Sequence, residues 1–315
     1  MTTDFKNSDL TSLLDKFLSF LEVERGSSPL TIRNYKLYLG RFVSWGKESK
    51  YYISPSEIDN EAVHHYRQWL ARLPDGKGEF LSRRTQSYHV IALRSFLKWM
   101  NKQGLNVLPA DNIDLPKLEE RQVSFLNGEQ IDRLLSAPSM SSIQGKRDKA
   151  MLEVLFSTGL RVSEIVKLDR DKLDLERREF GIIGKGGKAR VVFLSKRAVE
   201  WLEVYLKARK DHFKPLFLRH SGKVDPAMDD EKVRINPRSV QRMVKKYARK
   251  MKLPVEVTPH TIRHSYATDL LQAGADLRSV QEMLGHKNVT TTQIYTHVTN
   301  KQLKDVHEAF HSHSE

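Results

Sequence analysis

Apolar residues recur at helical spacing along most of the chain. Leu10, Leu13, Leu14, Phe17, Leu18 and Leu21 predict a first helix over residues 10–23. Gly26-Ser27-Ser28-Pro29 breaks it, and Ser28 before Pro29, or Thr31, offers a cap for a second helix. That helix carries Tyr35, Leu39, Phe42 and Val43 on one face, with Trp45 near its end. A short extended piece at 51–55 leads to a third helix opened by Ser56, with Val63, Tyr66 and Leu70 in phase, and residues 74–79 form a loop. Residues 82–102 predict a fourth. Val90, Leu93, Phe96, Leu97 and Met100 give it a core face, and Arg83, Arg84, His89, Arg94 and Lys98 lie largely around the rest.

Periodicity lapses over residues 104–118, which hold Pro109 and Pro116 and read as an interdomain linker. The expected division is residues 1–115 and 116–315. In the second part, residues 127–136 and 146–157 read as helices, with Asn127 as an N-cap and Gln130 three places on. Gly159 interrupts the second, and residues 161–168 resume helical spacing. Two apolar runs, 180–183 and 190–194, flank Gly184-Lys185-Gly186-Gly187-Lys188 and predict a β-hairpin with a glycine-rich turn. Further helices are expected over 198–209 and 238–251. The polar stretch 219–237, with Pro226 and Pro237, reads as a loop. The pattern is that of a mainly α protein of two domains, the second mixed α/β with a small antiparallel sheet.

Charge narrows the partners. The formal net charge is +14 and is uneven: residues 1–120 hold 17 basic and 15 acidic side chains, residues 121–315 hold 36 and 24. A polyanion is the natural partner, since each neutralised phosphate releases counterions; a merely soluble basic surface is the plainer account. Residues 238–252 carry seven positive side chains and no acidic one, so Arg238, Arg242, Lys245 and Lys246 are candidates for gripping backbone phosphates. Arg83, Arg84 and Arg94 are the corresponding candidates on the 82–102 helix, where a solvated basic face is the equal alternative. There is no cysteine, which excludes disulfides, Cys-ligated zinc and thiol catalysis and fits a reducing cytoplasm. No apolar run has the length of a membrane helix and no secretory signal is visible, so the expected location is cytoplasmic, with no membrane partner.

Taken singly, the chemistry-bearing residues are weak signals. Arg161, in TGLRVSE, accounts for itself as a surface ion pair with a residue such as Glu164. Lys185, in GKGGK, lacks the pattern of a nucleotide-binding loop and passes for an ordinary turn lysine. His260 and Arg263 share a face near the positive end of a helix if Pro259 begins it, which favours an anion. His260 and His264 have a zinc spacing, but Thr261 stands where a zinc protease needs glutamate, and no metal is expected. Tyr266 packs in a core by its phase with Ile262 and Leu270, whereas Tyr295 follows a polar, threonine-rich run.

The combination is far more specific. Arg161 in LRVSE, Lys185 in a β-turn, His260-x-x-Arg263, Leu284-Gly285-His286 and Tyr295 nine residues later occur in that order. In this series, and in the helical N-terminal segment SPLTIRNYKLYLGRFVSW, the chain resembles the tyrosine recombinase (phage integrase) family, most closely the Xer-type site-specific recombinases. The resemblance spans nearly the whole chain. It implies an N-terminal SAM-like core-binding bundle and a C-terminal catalytic domain that clamp duplex DNA.

The resemblance also implies roles. Tyr295 would be the nucleophile that forms a 3′-phosphotyrosyl intermediate, Arg161 and Arg263 would hold the phosphate, and His260 and His286 would donate to it or move a proton. Lys185 would protonate the leaving 5′-oxygen, with no cofactor, metal or ATP. The partners implied are double-stranded DNA with an inverted-repeat recombination site and a homo- or hetero-tetramer on two sites, joined through the C-terminal segment with Leu303, Val306 and Phe310. A septal DNA translocase is a further possible partner, in chromosome or plasmid dimer resolution. The rival within the family is an integrase of a mobile element, expected to carry an arm-binding domain before residue 10, or of an integron, which the polar 219–237 stretch keeps open. A relaxing topoisomerase shares the chemistry, and a non-catalytic architectural DNA-binding protein is the rival of another class.

Overall fold

The computed structural model describes residues 9–49, 54–76, 78–116, 124–184, 189–222 and 225–285. The chain divides into two compact units, Met1–Arg121 and Gln122–Glu315. Lys185, His286, Tyr295 and the apolar positions 303, 306 and 310 lie outside the described residues, as does most of the extended piece at 51–55.

The first unit is a bundle of α1 (Leu10–Val23), α2 (Pro29–Glu48), α3 (Asn60–Ala71) and α4 (Arg83–Lys102). Each begins where a short polar side chain accepts a backbone N–H that the first turn leaves unpaired: Asp9, Ser28, Asp59 and Ser82. Pro29 stands at the first position of α2. The third helix starts at Asn60, later than Ser56 led us to expect, because Pro55–Glu57 form a separate 3₁₀ turn. Phe17, Phe42, Tyr66, Phe96 and Leu93 fill the centre of the bundle. The aperiodic stretch after α4 belongs to the same core, since Leu105, Val107, Ala110 and Ile113 are buried in it. His89 departs from its expected place on the basic face. It is 1% exposed, with Nδ1 on the Thr85 carbonyl at 2.9 Å and Nε2 on Arg41 at 3.2 Å.

The second unit is built around one largely buried helix. α5 (Gly128–Ser136), with the expected Asn127–Gln130 capping box, leads to α6 (Ile143–Thr158). α6 is buried at most positions and packs on α5, on α8 (Lys196–Ala208), on α11 (Pro259–Gln272) and on β2 (Ala189–Phe193). Its charged residues are admitted because they are paired. Lys149 meets Glu153 at 2.7 Å and the Leu135 carbonyl at 2.8 Å, and Asp148 takes both Arg147 and the Tyr247 hydroxyl.

The helix expected over 161–168 is a single turn, α7 (Val162–Ile165), with Arg161 as its extended N-cap. β1 (Glu179–Ile183) pairs antiparallel with β2 from Glu179 opposite Phe193 to Ile183 opposite Ala189. The strands are the expected antiparallel pair, and residues 185–188 of the glycine-rich segment between them lie outside the described residues. Residues 219–237 are more than a loop. Asp229 caps a short α9 (Asp230–Val233), Val233 and Ile235 are buried, and Arg234 ties the segment to Asp169 at 2.8 Å. One turn of helix is too short to leave a periodic signal. α10 (Pro237–Lys250), α11 and α12 (Leu277–Leu284) complete the unit. No described helix is long and apolar enough to cross a membrane.

Candidate active site

The C-terminal ends of α6 and α12 meet the N-terminal part of α11, and Arg263 joins all three. Its guanidinium is 4% exposed and donates from Nη1 to the Gly159 carbonyl and from Nη2 to the Leu284 carbonyl, each at 2.6 Å. These oxygens belong to helix C-terminal ends, where carbonyls lack intrahelical partners and carry partial negative charge. A buried cation is accommodated there because its donors meet fixed dipoles.

Gly159 ends α6 in the left-handed conformation, at φ +58°. A Cβ at that position would stand 2.4 Å from the Tyr266 ring and 3.0 Å from Leu284, so a side chain is excluded by space as well as by backbone. Tyr266, as its phase predicted, is a core residue.

Arg161 approaches from α7. Its Nη1 donates to Glu164 Oε1 at 2.8 Å, its backbone N–H to Glu164 Oε2 at 2.9 Å, and its Nη2 to the Gly285 carbonyl at 3.3 Å. The ion pair with Glu164 is therefore real, but it is not a surface pair, because Glu164 is buried and also accepts from Arg190 on β2. Burial works against ionisation of that carboxyl. The hydrogen bonds from Arg190 and from the Arg161 backbone, with the charge of Arg190, outweigh it and hold Glu164 below the usual carboxylate range.

His260 lies one residue into α11, after Pro259 and the Thr258 cap. Although the residue is exposed, partial burial of the imidazole, then the charges of Arg263 and of Arg161, hold it below the ordinary histidine value. Both arginines are thus close enough to act on this ring. His264, one turn on, is pushed down to about 4 by burial, then by His260 and Arg263. Both imidazoles are neutral at pH 7, so each can accept or donate a proton. No cluster of His, Cys, Asp or Glu suited to a metal occurs among the described residues.

The structure thus brings together Arg161, His260 and Arg263 from positions about a hundred residues apart. Lys185 belongs to the segment that joins β1 to β2, His286 follows Gly285 in sequence, and both, with Tyr295, lie outside the described residues. Two participants escaped the sequence reading as parts of a site, namely Arg190 and Gly159. Among the candidate DNA contacts, Arg83 and Arg84 are exposed at the start of α4, and Arg94 is half-buried and paired with Asp111 at 3.4 Å. Arg238, Arg242, Lys245 and Lys246 are exposed on α10 opposite its buried face of Val240, Met243, Val244, Tyr247 and Ala248. Lys245 is partnered by Glu256 at 2.9 Å.

Residues 124–302 match the model of the phage integrase family, and residues 14–104 match that of the phage integrase N-terminal SAM-like domain. The chain belongs to the phage integrase family, whose tyrosine recombinases cut and rejoin DNA with a tyrosine nucleophile and without metal or ATP. Its relatives place it with the Xer-like site-specific enzymes. It is 38% identical over 310 residues to tyrosine recombinase XerD of Listeria innocua, covering 96% of this chain and 99% of that protein. Tyrosine recombinase XerC of Pelotomaculum thermopropionicum is 37% identical over 309 residues, with 95% and 97% covered.

The fold is shared with solved recombinases. The XerH site-specific recombinase bound to palindromic difH substrate, a post-cleavage complex, superposes with a TM-score of 0.68 at 24% identity, over 94% of this chain and 83% of that one. A lambda integrase dimer bound to a COC′ core site gives 0.68 at 15% identity, over 92% and 78%.

Proposed function

We propose that the chain recombines specific DNA sites through a 3′-phosphotyrosyl intermediate formed by Tyr295. The observation that carries this reading is the convergence of Arg161 and Arg263 on the end of α12, with the charges of both felt by His260. A phenol with an ordinary pKa of about 10 is a poor nucleophile at pH 7. It needs a proton acceptor and cations for the charge gathering on the phosphate. Two guanidiniums supply the charge with planar donors. His260, neutral and at a helix N-terminus, and His286 supply acceptors or donors.

In the first step the Tyr295 oxygen bonds to phosphorus and its proton passes to a neighbouring imidazole. The bond from phosphorus to the 5′-oxygen breaks, and Lys185 protonates that oxygen. Attack by the 5′-hydroxyl of another strand reverses the sequence. One phosphoester replaces another at each stage, so no external energy source enters.

The two units divide the binding: α4 of the first and α10 of the second present Arg83, Arg84, Arg94, Arg238, Arg242, Lys245 and Lys246 to backbone phosphates. Domains of residues 1–115 and 116–315 would then be core-binding and catalytic. The substrate is double-stranded DNA with inverted-repeat half-sites, held by a tetramer joined through the segment bearing Leu303 and Phe310. The role is Xer-like resolution of chromosome or plasmid dimers in the cytoplasm, supported by the XerD and XerC relatives. Sequencing the DNA captured covalently by the protein in cells tests this. A single chromosomal locus, or a plasmid site, supports dimer resolution; ends of a mobile element would instead make it an integrase, and no adduct at all would contradict the enzymatic reading.

A further inference from the structure

Arg190 has no part in the chemistry assigned above, yet it touches the elements that hold it. On β2 it stands opposite Ile182, on the side of the hairpin that sends Phe180, Ile182 and Val192 into the core. Its Nη1 and Nη2 donate to Glu164 Oε1 and Oε2 at 3.3 and 3.0 Å, and its side chain is only 12% exposed. Its Nε is buried with no hydrogen-bond partner among the described residues. The side chain also lies over Gly285, where a Cβ would stand 2.9 Å from Nη1 and 3.3 Å from Cδ and Cζ.

Glu164 is shared. Each of its oxygens takes one donor from Arg161 and one from Arg190. Both terminal nitrogens of Arg190 donate to this carboxylate. Arg161 has two side-chain anchors, Glu164 Oε1 and the Gly285 carbonyl. Arg190 packs against both.

We propose that Arg190 is a positioning residue that fixes the Glu164 carboxylate and the Gly285 end of α12, and through both aims the Arg161 guanidinium at the scissile phosphate. This rests on the reading of Arg161 as a phosphate-holding group. Without Arg190 the carboxylate keeps only its two donors from Arg161, Gly285 loses the surface it packs on, and both anchors of Arg161 loosen together. The loss falls on stabilisation of phosphate charge rather than on DNA affinity.

The test compares Arg190→Met, Arg190→Lys and Arg161→Ala on a nicked suicide duplex of the captured sequence. One version carries an ordinary phosphodiester and the other a methylphosphonate at the scissile position, which lacks the charge that an arginine neutralises. Arg190→Met should lower single-turnover cleavage of the phosphodiester on the order of 10²-fold, the cost of misplacing a catalytic group by about an ångström. Its DNA affinity in gel shifts should stay unchanged, and the loss on the methylphosphonate should be much smaller. Adding Arg190→Met to Arg161→Ala should slow the reaction little further.

Equal losses on both substrates, or a double variant slower by the full single-variant factor, would overturn the proposal. Circular dichroism melts identify a variant that fails to fold. Arg190→Lys, which keeps the charge beside Glu164 but not the fork, then carries the test with the same pattern and a smaller loss. Absence of methylphosphonate relief in Arg161→Ala itself would instead indict the reading of Arg161.

Discussion

Arg263 on α11 donates to the carbonyl of Leu284, the last residue of α12, at 2.6 Å, and the same guanidinium reaches Gly159 at the end of α6. One buried cation thereby joins two helix ends whose oxygens no helix can pair. The residue assigned to the phosphate is also a structural rivet, and its variants must be read on both counts.

Arg263→Ala should leave the two carbonyls unpaired and cost about 1–3 kcal/mol of stability. Arg263→Lys keeps the charge but cannot fork to both oxygens, so it should melt closer to wild type while cleavage still falls on the order of 10²-fold. Thermal melts and single-turnover cleavage separate the two effects. A lysine variant with wild-type cleavage would remove Arg263 from the phosphate.

Gly159→Ala meets a left-handed backbone and the Tyr266 ring at once. The expected cost is about 2 kcal/mol or more, which for a domain of this size lowers Tm by several degrees. An unchanged melt would mean that the end of α6 is not built as described.

The TGLRVSE motif shows how far the sequence could be read. Its arginine and glutamate were visible as a pair, and Gly159 as a break. The burial that turns a surface pair into a site was not, because it depends on Arg190, a strand residue 26 positions further along. Periodicity located the helices of the first unit to within a few residues, since each buries one stripe. It missed the short α9, and it placed His89 on the wrong face because an imidazole can be buried once Thr85 and Arg41 satisfy it. The candidate set was legible through the order of its motifs rather than through any one residue.

Acid should destabilise the second unit through its neutral histidines. His220 is pushed down to about 4, by burial first and then by Arg147 and Arg209, and His264 also lies near 4. Unfolded histidine titrates near 6.5, so between about pH 6.5 and 4 the unfolded chain binds more protons than the folded one. Stability from these groups is complete above that window and is lost as pH falls through it. Urea titrations at stepped pH should show the fall, with a shallower slope in His220→Asn. A flat profile across the window would contradict the burial of these rings.

The exposed α10 cations should act as phosphate contacts of unequal worth. Arg242→Ala and Lys246→Ala should each weaken binding to any DNA and reduce the slope of log K against log salt by about 1. Lys245→Ala should do less, because Glu256 already partners that ammonium. Gel shifts over a salt series check the order, and three unchanged slopes would take α10 off the DNA.

The most direct measurement is covalent trapping. Wild type and Tyr295→Phe are incubated with a nicked suicide duplex of the captured sequence and run on a denaturing gel, with binding followed in parallel by gel shift. The account predicts an adduct with wild type, none with Tyr295→Phe, and equal binding by both. An adduct that persists in the variant would show that another residue attacks the DNA.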